Sequence, residues 1–217
     1  MSRRQFSQKL RYMCLLAMFI AIELIFKLTG LGNIPINPML NVTLMNIPVA
    51  IGAILLGPLA GLILGIAFGL TSFIQPMSGM IATLFGIDAF RTIIMCVATR
   101  ALMGFGCACI FRGLKKIDRT RTVSYFVSAL SAALLNTALF MGALILFFYG
   151  TDYVQGLVAN KGAVNPFNFI ILMVGFNGLL EAAVTMVIGG GVSKGVDSAL
   201  NRKTERRKHI DRKRDEE

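Results

Sequence analysis

Four ionisable side chains interrupt long apolar runs: Glu23, Arg91, Arg100 and Glu181. Charged groups are costly inside hydrocarbon, so each marks either an ion pair or a polar site that uses its charge. Arg100 lies nine residues beyond Arg91, roughly 14 Å along a regular helix, and nine steps of about 100° put the two on nearly opposite faces, so one pocket cannot easily use both. Arg91, three residues after Asp88, is placed to snorkel, to pair with that aspartate, or to meet an anionic solute at the end of its helix. Arg100 is expected to serve as the cation of an internal solute site or as the partner of Glu181. Asn177 and Glu181 are four apart and share a helix face, and Asn136 sits inside the preceding apolar run. With Arg100 they would line a polar cavity in an otherwise apolar bundle. Glu23 and Lys27, also four apart, are expected to pair with each other.

Missing chemistry narrows the function. No G-x-x-x-x-G-K-S/T loop is present, so the chain does not bind ATP in the P-loop manner. The one histidine, His209, stands in the charged C-terminal segment. That argues against a histidine-dependent hydrolase and against a zinc protease of the H-E-x-x-H kind. Cys14, Cys96, Cys107 and Cys109 lie within or beside apolar stretches, at no metal-type spacing, and read as reduced packing residues. Binding or translocation is expected in place of catalysis, with no metal and no cofactor.

The elements that must carry these residues are apolar. Of 217 residues 55% are apolar and 15% charged, and mean hydropathy is +0.70, a balance rare for a domain whose surface meets water. Six stretches approach the ~20 apolar residues a spanning helix needs: 11–29, 42–57, 58–75, 90–111, 123–149 and 167–192. The expected fold is therefore an all-α integral membrane protein, a bundle of six transmembrane helices in residues 1–193, followed by a charged cytoplasmic tail, 194–217. Gly57-Pro58 alone separates the second and third stretches, which predicts a tight antiparallel hairpin. The formal net charge of +11 would suggest nucleic acid in a soluble protein; here the basic residues cluster at the ends of the apolar stretches, so the bilayer, not nucleic acid, is the expected partner. Four basic residues precede the first stretch, five lie in 112–122 and nine from Lys194 onward. With six helices these segments share one side, which the positive-inside rule makes cytoplasmic, with both termini there and the links 30–41, 76–89 and 150–166 outside.

Gly57, Gly61, Gly65 and Gly69 recur every four residues, a strip that lets a neighbouring backbone approach closely and is expected to serve internal helix packing. Ala17 and Ala21 are again small residues one turn apart.

The run from Asn41 to Thr71, NVTLMNIPVAIGAILLGPLAGLILGIAFGLT, resembles the substrate-binding S components of energy-coupling factor (ECF) vitamin transporters, and the resemblance extends over roughly residues 10–195. Its most specific part is the I-P-V-x-I-G-x-I-L-L-G-P-x-x-G core from Ile47 to Gly61. The A-x-x-x-A at Ala17 and Ala21 looks like the motif by which that family docks on its transmembrane coupling subunit. The resemblance implies a six-helix protein of the bacterial cell membrane that captures a vitamin from outside with high affinity and has no ATPase of its own. The coupling subunit and two ATPase subunits would supply the energy. Among S components, the N-x-T-x-x-x-I-P-V pattern with Asn41 and Thr43, and the R-x-L-x-G at Arg100, Leu102 and Gly104, look most like the pantothenate type; Asn46 stands where a histidine is frequent and Thr99 where a proline often precedes the arginine.

Pantothenate offers a carboxylate, an amide and two hydroxyls, a set that suits one arginine with several Asn or Thr groups. The expected roles are Arg100, or else Arg91, on the carboxylate, hydrogen bonds from Asn41, Thr43, Asn136 and Asn177, and Glu181 orienting the arginine or a hydroxyl. Folate and riboflavin would favour aromatic platforms, and thiamin, a cation, acidic or aromatic partners. Two other classes stay open on the residues alone: a self-sufficient secondary transporter with Glu23 or Glu181 carrying a proton, and a scaffold protein built on the glycine strip and basic tail.

Overall fold

The computed structural model describes residues 3–37, 40–73, 80–118, 120 and 122–200. Most of the charged tail, with His209, and the Pro38, Pro76 and Gly79 positions lie outside the described residues. In chain order the elements are α1 (Arg3–Leu28), β1 (Asn33–Asn37), β2 (Leu40–Thr43), α2 (Asn46–Leu56), α3 (Pro58–Thr71), α4 (Met80–Ile87), α5 (Ala89–Ile117), α6 (Val123–Phe148), α7 (Asp152–Asn160) and α8 (Pro166–Val184). A π-helical turn, Thr185–Gly189, follows α8, and helix resumes over 190–200.

Each apolar stretch lies largely in a helix, but the links are more structured than the sequence reading allowed. Residues 42–43, assigned above to the second helix, belong to an antiparallel β-hairpin in which Asn33 faces Thr43 and Pro35 faces Asn41. Pro35 denies a helix its hydrogen bond, while the alternating Ile34, Val42 and Thr43 suit a strand. The link before α5 holds α4, and the link before α8 holds α7, started by Thr151, whose hydroxyl accepts from the Val154 amide. α5 runs on to Ile117, past the expected end at 111, because Arg112, Lys115 and Lys116 are good helix formers with side chains long enough to reach water.

Length and hydropathy single out three helices able to cross a membrane: Ala89–Ile117, Val123–Phe148 and Asn177–Leu200. The 11 residues of α2 and 14 of α3 reach only about 16 and 21 Å, short of the ~30 Å hydrocarbon core. α1 spreads six charged residues along its 26.

The Gly57-Pro58 turn forms as expected. Gly57 takes φ +96°, open to glycine and strained for other residues, and Pro58 starts α3 where a missing amide costs nothing. Gly52 faces Leu64 and Ala53 faces Gly61, so α2 and α3 run antiparallel. The glycine strip then meets α5: Gly61 touches the Gly104 backbone, Gly65 that of Arg100 and Ala101, and Gly69 that of Cys96 and Val97. A Cβ at any of the three would strike backbone, so the strip is an internal packing surface. Gly57 itself lies beside the Arg112 guanidinium, which places the α2–α3 turn at the C-terminal end of α5. The Tyr125 hydroxyl donates to Asp197 at 2.6 Å, and Arg11 and Tyr12 line a groove with Asp197 and Leu200. The start of α1, the α2–α3 turn, the end of α5, the start of α6 and the 190–200 helix thus gather at one end.

Two apolar cores hold the bundle. One is built from α1, α2, α3, α5 and α6 around Phe19, Val49, Leu64, Met103 and Ala129. The other joins α4 to α8 around Leu84, Met95, Leu144, Phe148, Val154 and Phe169. α8 is not the single helix read from the sequence. Gly175 takes φ +44° and breaks it, and the π turn follows ten residues later; such turns accommodate an extra residue and re-aim the side chains around them.

Candidate functional site

Arg100 leaves α5 where that helix lies close against α3 at Gly65, and is 8% exposed. The close approach sets the guanidinium between two rings, 4.8 Å from the Phe68 centroid on α3 and 5.2 Å from that of Phe140 on α6, a favourable setting for a cation. Its Nη1 donates back to the Cys96 carbonyl at 2.9 Å, and its Nε is buried with no hydrogen-bond partner. Among the described residues no carboxylate lies within 4.0 Å of it. The fork therefore keeps donors for a ligand, and an anion that occupied them would remove the cost of burying them unmet.

A cavity of about 230 Å³ opens beside this guanidinium, lined by Thr43, Asn136, Asn177 and Glu181 with Phe68, Phe140, Met141 and Met173 among its apolar walls. Five residues singled out from sequence, Arg100, Thr43, Asn136, Asn177 and Glu181, are thereby brought together from β2, α5, α6 and α8. Phe68 belongs to the first core's packing and Phe140 and Met173 to the second's, so the polar cavity lies where the two cores meet. Glu181 and Arg100 share the cavity without an ion pair. Glu181 is held instead by Asn46, whose Nδ2 donates to its Oε1. Asn46 is fully buried, and its Oδ1 has no partner. The Asn136 Oδ1 is likewise buried and without a partner.

Three expectations need correction or lie elsewhere. Arg91 is not at the cavity: its side chain is 57% exposed, its Nε pairs with Asp88 Oδ2 at 3.1 Å, and its Nη1 meets the Phe147 carbonyl at 3.5 Å. The helical rotation between positions 91 and 100 accounts for this. Glu23 does not form the expected hydrogen-bonded pair with Lys27; it is fully buried and neither oxygen has a hydrogen-bond partner, because Lys27 lines a second cavity of about 450 Å³. Asn41 sits in β2 opposite Pro35, but its side chain is outside the described residues. Ala17 and Ala21 are exposed on α1.

Sequence reasoning missed Asn46 as a site residue, along with the rings that flank Arg100. An asparagine one residue before an Ile-Pro pair, at the start of an 11-residue helix that is otherwise wholly apolar, was the available signal for the former. Nothing in the spacing identified Phe68 or Phe140 among sixteen phenylalanines.

A family model described as the substrate-specific component of ECF transporters matches residues 11–189. The chain belongs to that family. No curated protein matches the chain. As an ECF S component it is a vitamin-binding subunit of a transporter and not an enzyme, and the family and its apolar helices make it a multi-pass membrane protein.

Proposed function

We propose that this S component captures pantothenate, or a closely related small carboxylate, in the cavity at Arg100. The observation that carries the reading is the guanidinium itself: buried, sandwiched between Phe68 and Phe140, with Nε unmet and no carboxylate within 4.0 Å among the described residues. A planar fork in that state suits a carboxylate. Thr43, Asn136 and Asn177 supply hydrogen bonds to the amide and hydroxyls, and Glu181, steadied by Asn46, accepts from a hydroxyl. Exclusion of water makes each such contact worth more than it would be at a surface. The Asn, Thr and Glu groups of the cavity match the amide and hydroxyls of an acyclic vitamin, and a guanidinium disfavours cationic thiamin.

The remaining parts of the reading concern the assembly. Six helices, the short α2 and α3 among them, lie in the plasma membrane of a bacterium with both termini in the cytoplasm, a reading supported by the basic residues at the start of α1 and the end of α5, which lie at one end of the bundle. The exposed Ala17 and Ala21 on α1 dock on the transmembrane coupling subunit, and two separate ATPase subunits drive release. The β-hairpin and α4, from the links expected outside, cover the solute.

Calorimetric titration of the detergent-purified protein alone with pantothenate, riboflavin, folate, thiamin and biotin tests the substrate. Tight binding of pantothenate and weak or no binding of the others is expected. Preference for any other member overturns the substrate, and silence across all five overturns capture of a vitamin from this panel.

A further inference from the structure

Beside the polar cavity lies the larger space of about 450 Å³, and the two share Thr43, Phe68, Arg100 and Phe140. The larger space adds Lys27 from the end of α1, Asn33 from β1 and Ser72 from the end of α3. Its described lining contains two cations and no acid. Lys27 and Arg100 line this one space together, so an anion placed in it gains the attraction of both. Glu181 lines only the smaller space, with Asn136 and Asn177. The two spaces therefore differ in character: one is cationic and lies at the hairpin end, the other carries an acid and amides and lies toward α8.

We infer that Lys27 is a second anion contact of the solute site, so that the cargo lies across both spaces with its carboxylate between Lys27 and Arg100 and its hydroxyl-bearing end among Asn136, Asn177 and Glu181. This rests on the capture reading above and deepens it by fixing the orientation of the cargo and assigning a specificity-determining residue on α1. A hydroxylated chain in the reverse direction would bring its carboxylate against Glu181 and away from Lys27. An anion bound between Lys27 and Arg100 lies among residues of α1, β1, α3 and α5.

The test is titration of wild type, Lys27→Met and Lys27→Arg with pantothenate and with its alcohol analogue, in which a CH₂OH group replaces the carboxylate. Loss of one charge-assisted contact corresponds to about tenfold or more in Kd. Lys27→Met is expected to weaken pantothenate binding by about that factor or more while changing alcohol binding by less than about threefold, and Lys27→Arg is expected to retain most of the pantothenate affinity. Alcohol binding also reports that the variant is folded. Wild-type pantothenate affinity in Lys27→Met overturns the inference and leaves the capture reading standing, as does an equal loss for both ligands. A wild-type protein that binds neither pantothenate nor another anionic vitamin, biotin or folate, overturns both.

Discussion

Replacing Gly65 by alanine adds a single methyl group, yet it strikes the contact that holds Arg100 in place. The new Cβ would overlap the Arg100 carbonyl oxygen and carbon and the Ala101 Cα, all backbone atoms that cannot rotate away. Restoring ordinary van der Waals separation, about 3.5 Å or more between heavy atoms, requires α3 and α5 to part by on the order of an ångström. Overpacking of that kind costs about 1–3 kcal/mol, against which alanine's better helix propensity returns less than about 1 kcal/mol. The same movement carries Phe68 away from the guanidinium, and a site loosened by about 1 Å loses much of its affinity. Gly113→Ala is the control: it lies in α5, the helix that Gly65 packs against, and a Cβ there meets nothing within 4 Å. Thermal unfolding in detergent, together with ligand titration, should show Gly65→Ala destabilised and weakened in binding and Gly113→Ala unchanged or slightly stabilised. Equal behaviour of the two variants would refute the argument that the glycine strip positions the site.

Three further outcomes follow from particular contacts. Asn46→Leu removes the hydrogen bond to the half-buried Glu181 and should cost about 1 kcal/mol in stability, read by chemical or thermal unfolding, with ligand affinity falling as Glu181 loses its orientation. Arg91→Ala breaks only an exposed pair with Asp88 and should change stability by no more than about 1 kcal/mol and vitamin affinity not at all in titration; a large loss of binding would return Arg91 to the site. Asp118 follows α5 and accepts from the Ser124 amide, from the Thr120 hydroxyl and from the Thr120 amide, and these bonds, the Ser124 amide first, hold its carboxyl well below the usual aspartate range. Because the folded value is depressed, its contribution is present above the unfolded value of about 3.9 and is lost as pH falls through and below it. Wild type should therefore exceed Asp118→Asn in stability at neutral pH and converge with it in strong acid, as measured by unfolding across pH.

Much of the site was legible because its polar residues stand out against apolar sequence. Arg100, Asn136, Asn177 and Glu181 were each conspicuous in hydrocarbon-like runs, and the four-residue spacing of Asn177 and Glu181 survived because both lie beyond the break at Gly175. The nine-residue separation of the two arginines correctly assigned them to different surroundings. Legibility failed where long-range placement decides. Whether Lys27 turns back to Glu23 or forward to a cavity depends on how α1 sits against β1 and α3, and periodicity along one helix carries no such information. The hairpin was hidden because a Pro-rich link of a dozen residues reads as loop until Asn33 and Thr43 are brought opposite each other. Asn46 was overlooked because its role depends on Glu181, 135 positions away.

The central claim, that Arg100 recognises a carboxylate, is tested most directly by the affinities of wild type and Arg100→Gln for pantothenate and for the alcohol analogue. Wild type should prefer pantothenate, and Arg100→Gln should lose about 2 kcal/mol or more of pantothenate binding, roughly 30-fold, while binding the alcohol about as wild type does, so that the preference disappears. Retention of wild-type pantothenate affinity by Arg100→Gln, or the same loss for both ligands, would contradict the account.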